Sequence, residues 1–337
     1  MSAAGSVLVM GAGSVGGYVG GCLQQAGTEV HFVGRPRTLA GWAEHGLRLT
    51  DQDGRDQSLP PALLQLHEAV PAGLRPDLVL LTVKCGATRQ AASELAATLP
   101  PGTPVLSLQN GMGNTESGRA VAPGLCWMAG MVPYNVASLG PGHLHRGTGG
   151  TLAAQDNPAL RQWVPIFAKA GLPLVLHPDL APVQWGKLLL NLNNPVNALS
   201  GLPLRAELMD RGYRQVFAAL QREALGALAA AGIQPAQVAA VAPGAMPRLL
   251  ALPNWIFLRL AARLLRIDAH ARSSMADDLS LGRATEIDAL SGEVVRLARA
   301  QGRDAPLNQR IQTLIEAWPG NPHPLSSAEL KERLGLG

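Results

Sequence analysis

Lys187, Asn191 and Asn194 lie in the stretch Trp185-Gly186-Lys187-Leu188-Leu189-Leu190-Asn191-Leu192-Asn193-Asn194. At helical spacing one ammonium and two carboxamides share a face. Such a stripe is costly to bury without partners. Leu188, Leu189, Leu190 and Leu192 make the rest of the helix apolar enough to be sandwiched, so the stripe is expected to face a cleft. A solvated face is the ordinary alternative. The only lysines are Lys84, Lys169, Lys187 and Lys331, against a background of arginine. A lysine kept in such a chain suggests a task that arginine does not serve.

Farther along, Ala271-Arg272-Ser273-Ser274-Met275-Ala276-Asp277-Asp278 leads to Gly282-Arg283-Ala284-Thr285-Glu286-Ile287-Asp288. Ser274 can donate to a carboxylate, or the serine pair only caps a helix. Glu286 can accept from a substrate hydroxyl or meet a lysine, or it only pairs with Arg283 one turn back.

The third chemical feature is Gly11-Ala12-Gly13-Ser14-Val15-Gly16. An aliphatic run over residues 7–10 precedes it. A helix-like segment ending at Ala26-Gly27 and a strand candidate over residues 30–33 follow. Strand, tight turn, helix and strand form the context of a dinucleotide-binding loop. Gly11 allows the turn, Gly13 lets a pyrophosphate approach the backbone, and Gly16 lets the helix pack on the strand. Free N–H groups and the positive helix end then face the phosphates. After the second strand the chain reads Val33-Gly34-Arg35-Pro36-Arg37, with no acid to hold ribose hydroxyls. Arg35, with Arg37 as a second candidate, is expected to receive a 2′-phosphate, which favours NADP(H) over NAD. Two solvated loop arginines are the alternative.

A scaffold must bring these groups into play. Residues 77–84 read as a buried strand with a polar end, residues 88–99 as a helix, and residues 105–108 as another strand closing on Gln109-Asn110-Gly111. Further strand pieces fall at 127–132, 151–154 and 174–176. Strand–helix alternation predicts a parallel sheet with right-handed crossovers. Lys84 and Asn110 then sit at strand carboxyl ends beside the glycine loop, where such sheets bind ligands. Beyond about residue 178 the texture turns helical, as in residues 213–231 and 285–300. In the latter, Ile287, Leu290, Val294 and Leu297 make one stripe. The expected fold is α/β: a Rossmann-type parallel-sheet domain over residues 1–178 that binds NADP, followed by an all-helical domain over residues 179–337 for substrate and dimerisation.

Composition narrows the function classes. The chain has 337 residues, of which 47% are hydrophobic, enough for a large core. Its net charge of +4 is spread without a basic block, which argues against a nucleic-acid surface. Cys22, Cys85 and Cys126 lie far apart, with no disulfide framework or zinc spacing. That pattern fits a reducing cytoplasm. His143 and His145 lack supporting ligands and read as a strand or loop pair, so no metal is expected. The start of the chain lacks a basic segment followed by an apolar run. The most apolar stretch, residues 249–267, is broken by Pro253, Asn254, Arg259, Arg263 and Arg266, so no membrane span is expected.

Taken together, the motifs resemble those of the ketopantoate reductase (2-dehydropantoate 2-reductase) family over nearly the whole length. The resemblance rests on Gly11-x-Gly13-x-x-Gly16, Val83-Lys84, Asn110-Gly111-Met112-Gly113, Trp185-x-Lys187-Leu188-x-x-Asn191, Ser273-Ser274-Met275-x-x-Asp278 and Gly282-Arg283-x-Thr285-Glu286-Ile287-Asp288. It implies NADPH-dependent reduction of 2-dehydropantoate to (R)-pantoate, a step of pantothenate biosynthesis. It implies Lys187 as general acid, Glu286 as the substrate-orienting acid, and Asn191 and Ser274 as substrate ligands. It implies Lys84 and Asn110 at the cofactor–substrate junction, Arg35 at the 2′-phosphate, and a homodimer by resemblance alone. The sequence departs from the family pattern where a second asparagine is expected four residues after Asn191. Pro195 stands there, and Asn194 or Asn197 is left to supply the amide. The segment 242–267 is also longer and more apolar than expected. Its Leu249, Leu250, Trp255, Ile256, Leu260 and Leu264 cover the cleft, form a subunit contact or belong to ordinary core. The competing readings are a reductase of a different bulky 2-oxo acid and a non-catalytic NADP(H)-sensing protein. The lysine speaks against a sensor, which has no use for a proton donor.

Overall fold

Aliphatic runs in the first half of the chain become strands: β1 (Ser6–Met10), β2 (Glu29–Val33), β3 (Leu47–Asp51), β4 (Asp56–Leu59), β5 (Gln65–His67), β6 (Leu78–Leu81), β7 (Pro104–Ser107), β8 (Cys126–Met131), β9 (Val136–Gly140), β10 (His143–Arg146), β11 (Leu152–Gln155) and β12 (Leu174–His177). This is a computed structural model that describes residues 5–260, 271–318 and 323–336. The chain divides into two compact units, Met1–Leu180 and Ala181–Gly337.

The larger sheet runs β12-β11-β8-β7-β6-β1-β2-β5. Pairs from β5 through β8 are parallel, and β11–β12 is parallel within itself. The junction of β8 with β11 is antiparallel, so the sheet is mostly rather than wholly parallel. Strand order reverses at β1, which makes the carboxyl end of β1 the switch point where such sheets take ligands. Both faces of β1 are buried. Val7, Val9 and Phe32 pack with Tyr18, Val19 and Leu23 of the helix Ser14–Gln25. Leu8, Val79 and Leu81 pack with Ala91, Ala92 and Leu95 of the helix Thr88–Thr98. Burial on both sides is why these strands read as unbroken apolar runs.

A second sheet, β4-β3-β10-β9, was not foreseen. His143 and His145 lie on β10, and both rings reach the Thr50 hydroxyl of β3, at 2.9 and 2.8 Å.

The second unit is helical among its described residues. The run expected as one helix through Asn194 is two, Ala181–Asn191 and Asn193–Ser200. Pro195 explains the break, because it has no N–H to offer the Asn191 carbonyl four residues back. Gln221 donates to the Leu189 carbonyl at 3.0 Å just before it. The segment expected to be helical over 285–300 opens instead with a π-turn, Asp288–Gly292, before the α-helix Glu293–Ala300. The wider turn rotates the buried face: Ile287, Leu290 and Val294 are buried as expected, but Ala298 replaces Leu297.

The apolar segment after residue 242 is split in role. Met246, Leu250 and Phe257 are buried, whereas Trp255 and Leu260 are exposed, and Leu264 lies outside the described residues. Arg214 anchors the buried part. It is 0% exposed, donates to the carbonyls of Leu208, Leu250 and Leu252, and lies 4.0 Å over the Phe257 ring. No described helix is long and apolar enough to cross a membrane.

Candidate active site

The glycine loop joins β1 to the helix Ser14–Gln25. Gly11 has φ +117°, and a Cβ there would stand 2.6 Å from the Val83 nitrogen. Only glycine tolerates both. Gly11 and Ala12 donate to the Val33 carbonyl at 3.0 and 2.8 Å, tying the loop to the end of β2. A Cβ on Gly16 would collide with the Gly11 carbonyl and the Thr82 hydroxyl, so Gly16 is a packing glycine. A Cβ on Gly13 would meet nothing within 4 Å among the described residues. The fold therefore leaves the approach to the Gly13 backbone clear. The helix that starts after Gly13 has no acid in its first turn to cancel its positive end. Ser14 and Val15 supply its first N–H groups.

Arg35 follows β2 directly, exposed, at the N-cap of the helix Pro36–His45. Gly34 donates to the His67 carbonyl at 3.0 Å, which fixes the turn that carries it. Exposed Lys84 follows β6, and half-buried Asn110 follows β7. Sequence reasoning missed the residue that joins their loops, Gln109. Its Nε2 donates to the Val83 carbonyl at 2.9 Å and to Thr88 Oγ1 at 2.8 Å, and its Oε1 accepts from Ser107 at 2.8 Å. The Asn110 carbonyl accepts from Asn114 Nδ2 at 2.8 Å and from the Cys85 thiol at 3.1 Å.

In the second unit, Lys187, Asn191 and Asn194 are half-buried, while Val183, Trp185, Gly186, Leu188, Leu189 and Leu192 are buried. The helix break leaves the three polar residues on the more open positions. Gly186 packs where a side chain would strike the Ala236 carbonyl, which seats the lysine-bearing helix. The two serines divide their tasks. Ser273 is buried and caps the helix Ser274–Ser280, accepting from Ala276 N at 3.2 Å and donating to the Asn194 carbonyl at 3.2 Å. Ser274 is exposed in the first turn. Glu286 is half-buried immediately before the π-turn. Arg296 secures that turn, donating to Asp288 Oδ1 and to the Asp288 carbonyl, each at 2.8 Å.

Asn197 is 0% exposed and already engaged: it donates to Leu202 O at 2.9 Å and accepts from Ser273 N at 2.9 Å. Sequence reasoning also missed Glu207, likewise 0% exposed, which accepts from Asn193 Nδ2 at 2.9 Å. Nothing in the string Leu204-Arg205-Ala206-Glu207-Leu208 marks that acid as buried.

The family model described as ketopantoate reductase PanE/ApbA matches residues 7–158, and the model of its C-terminal part matches residues 179–318. A 2-dehydropantoate 2-reductase of Pyrococcus horikoshii is 27% identical over 322 residues, covering 92% of this chain and 96% of that one. The crystal structure of a PanE/ApbA-family ketopantoate reductase from Ralstonia eutropha JMP134 superposes with TM-score 0.78 at 29% identity, covering 94% of this chain and 98% of that one. A ternary structure of D-mandelate dehydrogenase with NADH and anilino(oxo)acetate shares the fold, with TM-score 0.75 at 20% identity and coverage of 94% and 98%. With both family models matched in order, one across the glycine-loop sheet and the other across the helical unit that contains Lys187 and Glu286, this chain belongs to the ketopantoate reductase family.

Proposed function

We propose that this chain reduces the C2 ketone of 2-dehydropantoate to (R)-pantoate with NADPH, Lys187 acting as general acid. The observation that carries the reading is the stripe of Lys187, Asn191 and Asn194, half-buried on helices where most other positions, among them Trp185, Leu188, Leu189 and Val196, are buried. The first unit suits the cofactor: the Gly13 backbone is clear for a pyrophosphate, the helix end is not neutralised by an acid, and Arg35 follows β2. Gly11, Ala12, Gly13, Ser14, Val15 and Gly16 would hold the pyrophosphate, Arg35 the 2′-phosphate, and Lys84 and Asn110 the nicotinamide end. When bound, the reduced nicotinamide supplies a hydride.

The chain's own residues do the rest. Negative charge grows on the ketone oxygen as it is reduced. The Lys187 ammonium stabilises that charge and delivers its proton there. Asn191 and Asn194 donate hydrogen bonds that orient the substrate, and Ser274 donates to its carboxylate. Glu286 accepts from its hydroxyl. Asn197 is occupied within the fold, which supports Asn194 as the second amide.

The test is NADPH oxidation by the purified chain with a panel of 2-oxo acids, repeated with NADH. Turnover of 2-dehydropantoate with NADPH is expected. Turnover of only an aryl 2-oxo acid would transfer the reading to a different substrate on the same fold. NADPH binding with no turnover of any member would make the chain a sensor.

A further inference from the structure

Glu207 lies on the helix Leu204–Met209 at 0% exposure. Its Oε2 accepts from Asn193 Nδ2 at 2.9 Å and from Asn197 Nδ2 at 3.4 Å. Its Oε1 has no hydrogen-bond partner among the described residues, and neither has Asn193 Oδ1. Two buried acceptors left empty on the same pair of side chains are costly. A single proton resolves both.

We infer that Glu207 is held as the neutral carboxylic acid, its Oε1–H donating to Asn193 Oδ1, and that this acid–amide ring positions Asn194 and Ser274. The ring closes through Asn193 Nδ2–H to Glu207 Oε2. Among the described residues no cation pairs with it, so an ionised carboxylate here would be a buried charge left uncompensated by them. Among the described residues the charged group that bears on it is Asp210, of the same sign, at the N-cap of the helix Arg211–Ala230, and Tyr213 on that helix is the other titratable neighbour. From the helix Asn193–Ser200 it meets only the two amides named. Burial, which outweighs the amide donors, pushes the carboxyl up to about 8.

The ring's influence reaches the site through a short series of hydrogen bonds. Asn197 donates to Leu202 O at 2.9 Å and accepts from Ser273 N at 2.9 Å, and Ser273 Oγ donates to the Asn194 carbonyl at 3.2 Å. Asn194 and Ser274 each stand one residue from a member of this network. Their role as substrate ligands rests on the proposed function, whereas the proton on Glu207 does not. Glu207 is thus a positioning residue.

The experiment compares the full chain with Glu207→Gln and Glu207→Leu. The infrared difference spectrum between wild type and Glu207→Gln at neutral pH should show the C=O stretch of a protonated carboxylic acid that is lost in the variant. A difference confined to carboxylate bands would overturn the neutral acid. Gln keeps one donor and one acceptor toward Asn193, so Glu207→Gln should hold KM for 2-dehydropantoate and kcat within about twofold, whereas Glu207→Leu should raise KM ~10-fold with a smaller change in kcat. Amide exchange at Ser273 should stay slow in Glu207→Gln and quicken ~10-fold or more in Glu207→Leu. Unchanged exchange in Glu207→Leu would overturn the positioning role. If no 2-oxo acid is turned over, the functional reading fails, and the infrared and exchange results still decide this one.

Discussion

Asn197 Oδ1 accepts the backbone N–H of Ser273 at 2.9 Å, joining residues 76 apart in the chain. The same side chain donates to Leu202 O, so its hydrogen-bonding capacity is spent inside the fold. Asn194 is half-buried on the more open side. The two amides should therefore respond differently. Asn197→Ala leaves a buried N–H and a carbonyl unpaired and should cost roughly 3 kcal/mol of stability. Asn194→Ala should leave stability within about 0.5 kcal/mol while raising KM for the oxo acid ~10-fold. Denaturant melts and steady-state kinetics on both variants check this. The reverse pattern would return the substrate role to Asn197.

Gly13 and Gly16 separate binding from folding. An alanine methyl on Gly13 enters open space at φ −99°, a conformation alanine adopts freely. Gly13→Ala should melt at or slightly above the wild-type temperature, because it stiffens the unfolded chain by about 0.4–1 kcal/mol. It should nevertheless weaken NADPH binding, since the methyl occupies the approach to the backbone. Gly16→Ala drives its methyl into the Gly11 carbonyl and the Thr82 hydroxyl. It should lower stability by about 1–3 kcal/mol. Thermal melts with and without NADPH distinguish the two.

The glycine loop was legible because each of its positions is constrained by local backbone chemistry, and the loop sits between a strand and a helix that announce themselves. Strand–helix alternation announced a parallel sheet, but neither its strand order nor the antiparallel junction of β8 with β11. The features that the sequence hides depend on distant pairing or on the backbone. β3 and β10 are polar at every other position and pair across the chain, Thr50 with His145, so neither reads as a core strand alone. Spacing put Lys187, Asn191 and Asn194 on one helix, but Pro195 withholds the N–H that would continue it. Glu207 and Gln109 look like surface residues until packing buries them. The π-turn after Glu286 leaves no mark in hydrophobic period beyond a shift of one residue, from Leu297 to Ala298.

Arg35 should determine which cofactor is used. It follows β2 with no acid nearby in sequence. Arg35→Ala removes a charged fork suited to a phosphate and should raise KM for NADPH ~10–100-fold. KM for NADH, which has no 2′-phosphate, should change little. Parallel loss with both cofactors would move the 2′-phosphate contact away from Arg35.

Lys187 gives a sharper test of chemistry against binding. Lys187→Ala should lower kcat by ~10²–10⁴-fold. Lys187→Arg preserves the positive charge, but a guanidinium does not give up its proton, so kcat should still collapse while KM for the oxo acid moves less. A Lys187→Arg variant with wild-type kcat would reduce the lysine to an electrostatic role.

The acid at Glu207 also predicts how stability varies with pH. Its carboxyl lies at about 8 in the folded chain, against an ordinary 4.5. Below about 4.5 both folded and unfolded chains hold the proton. Between that point and about 8 the folded chain keeps it and the unfolded chain releases it, so unfolding gives up a proton and stability falls as pH rises. The slope is at most about 1.4 kcal/mol per pH unit. Above about 8 both states are ionised and the loss levels off. Glu207→Gln cannot titrate and removes this contribution alone. The difference in unfolding free energy between wild type and Glu207→Gln, measured by denaturant melts, should therefore decline steadily for the wild type across that window. A flat difference would mean that Glu207 is ionised in the folded chain, and the ring with Asn193 would lose its proton.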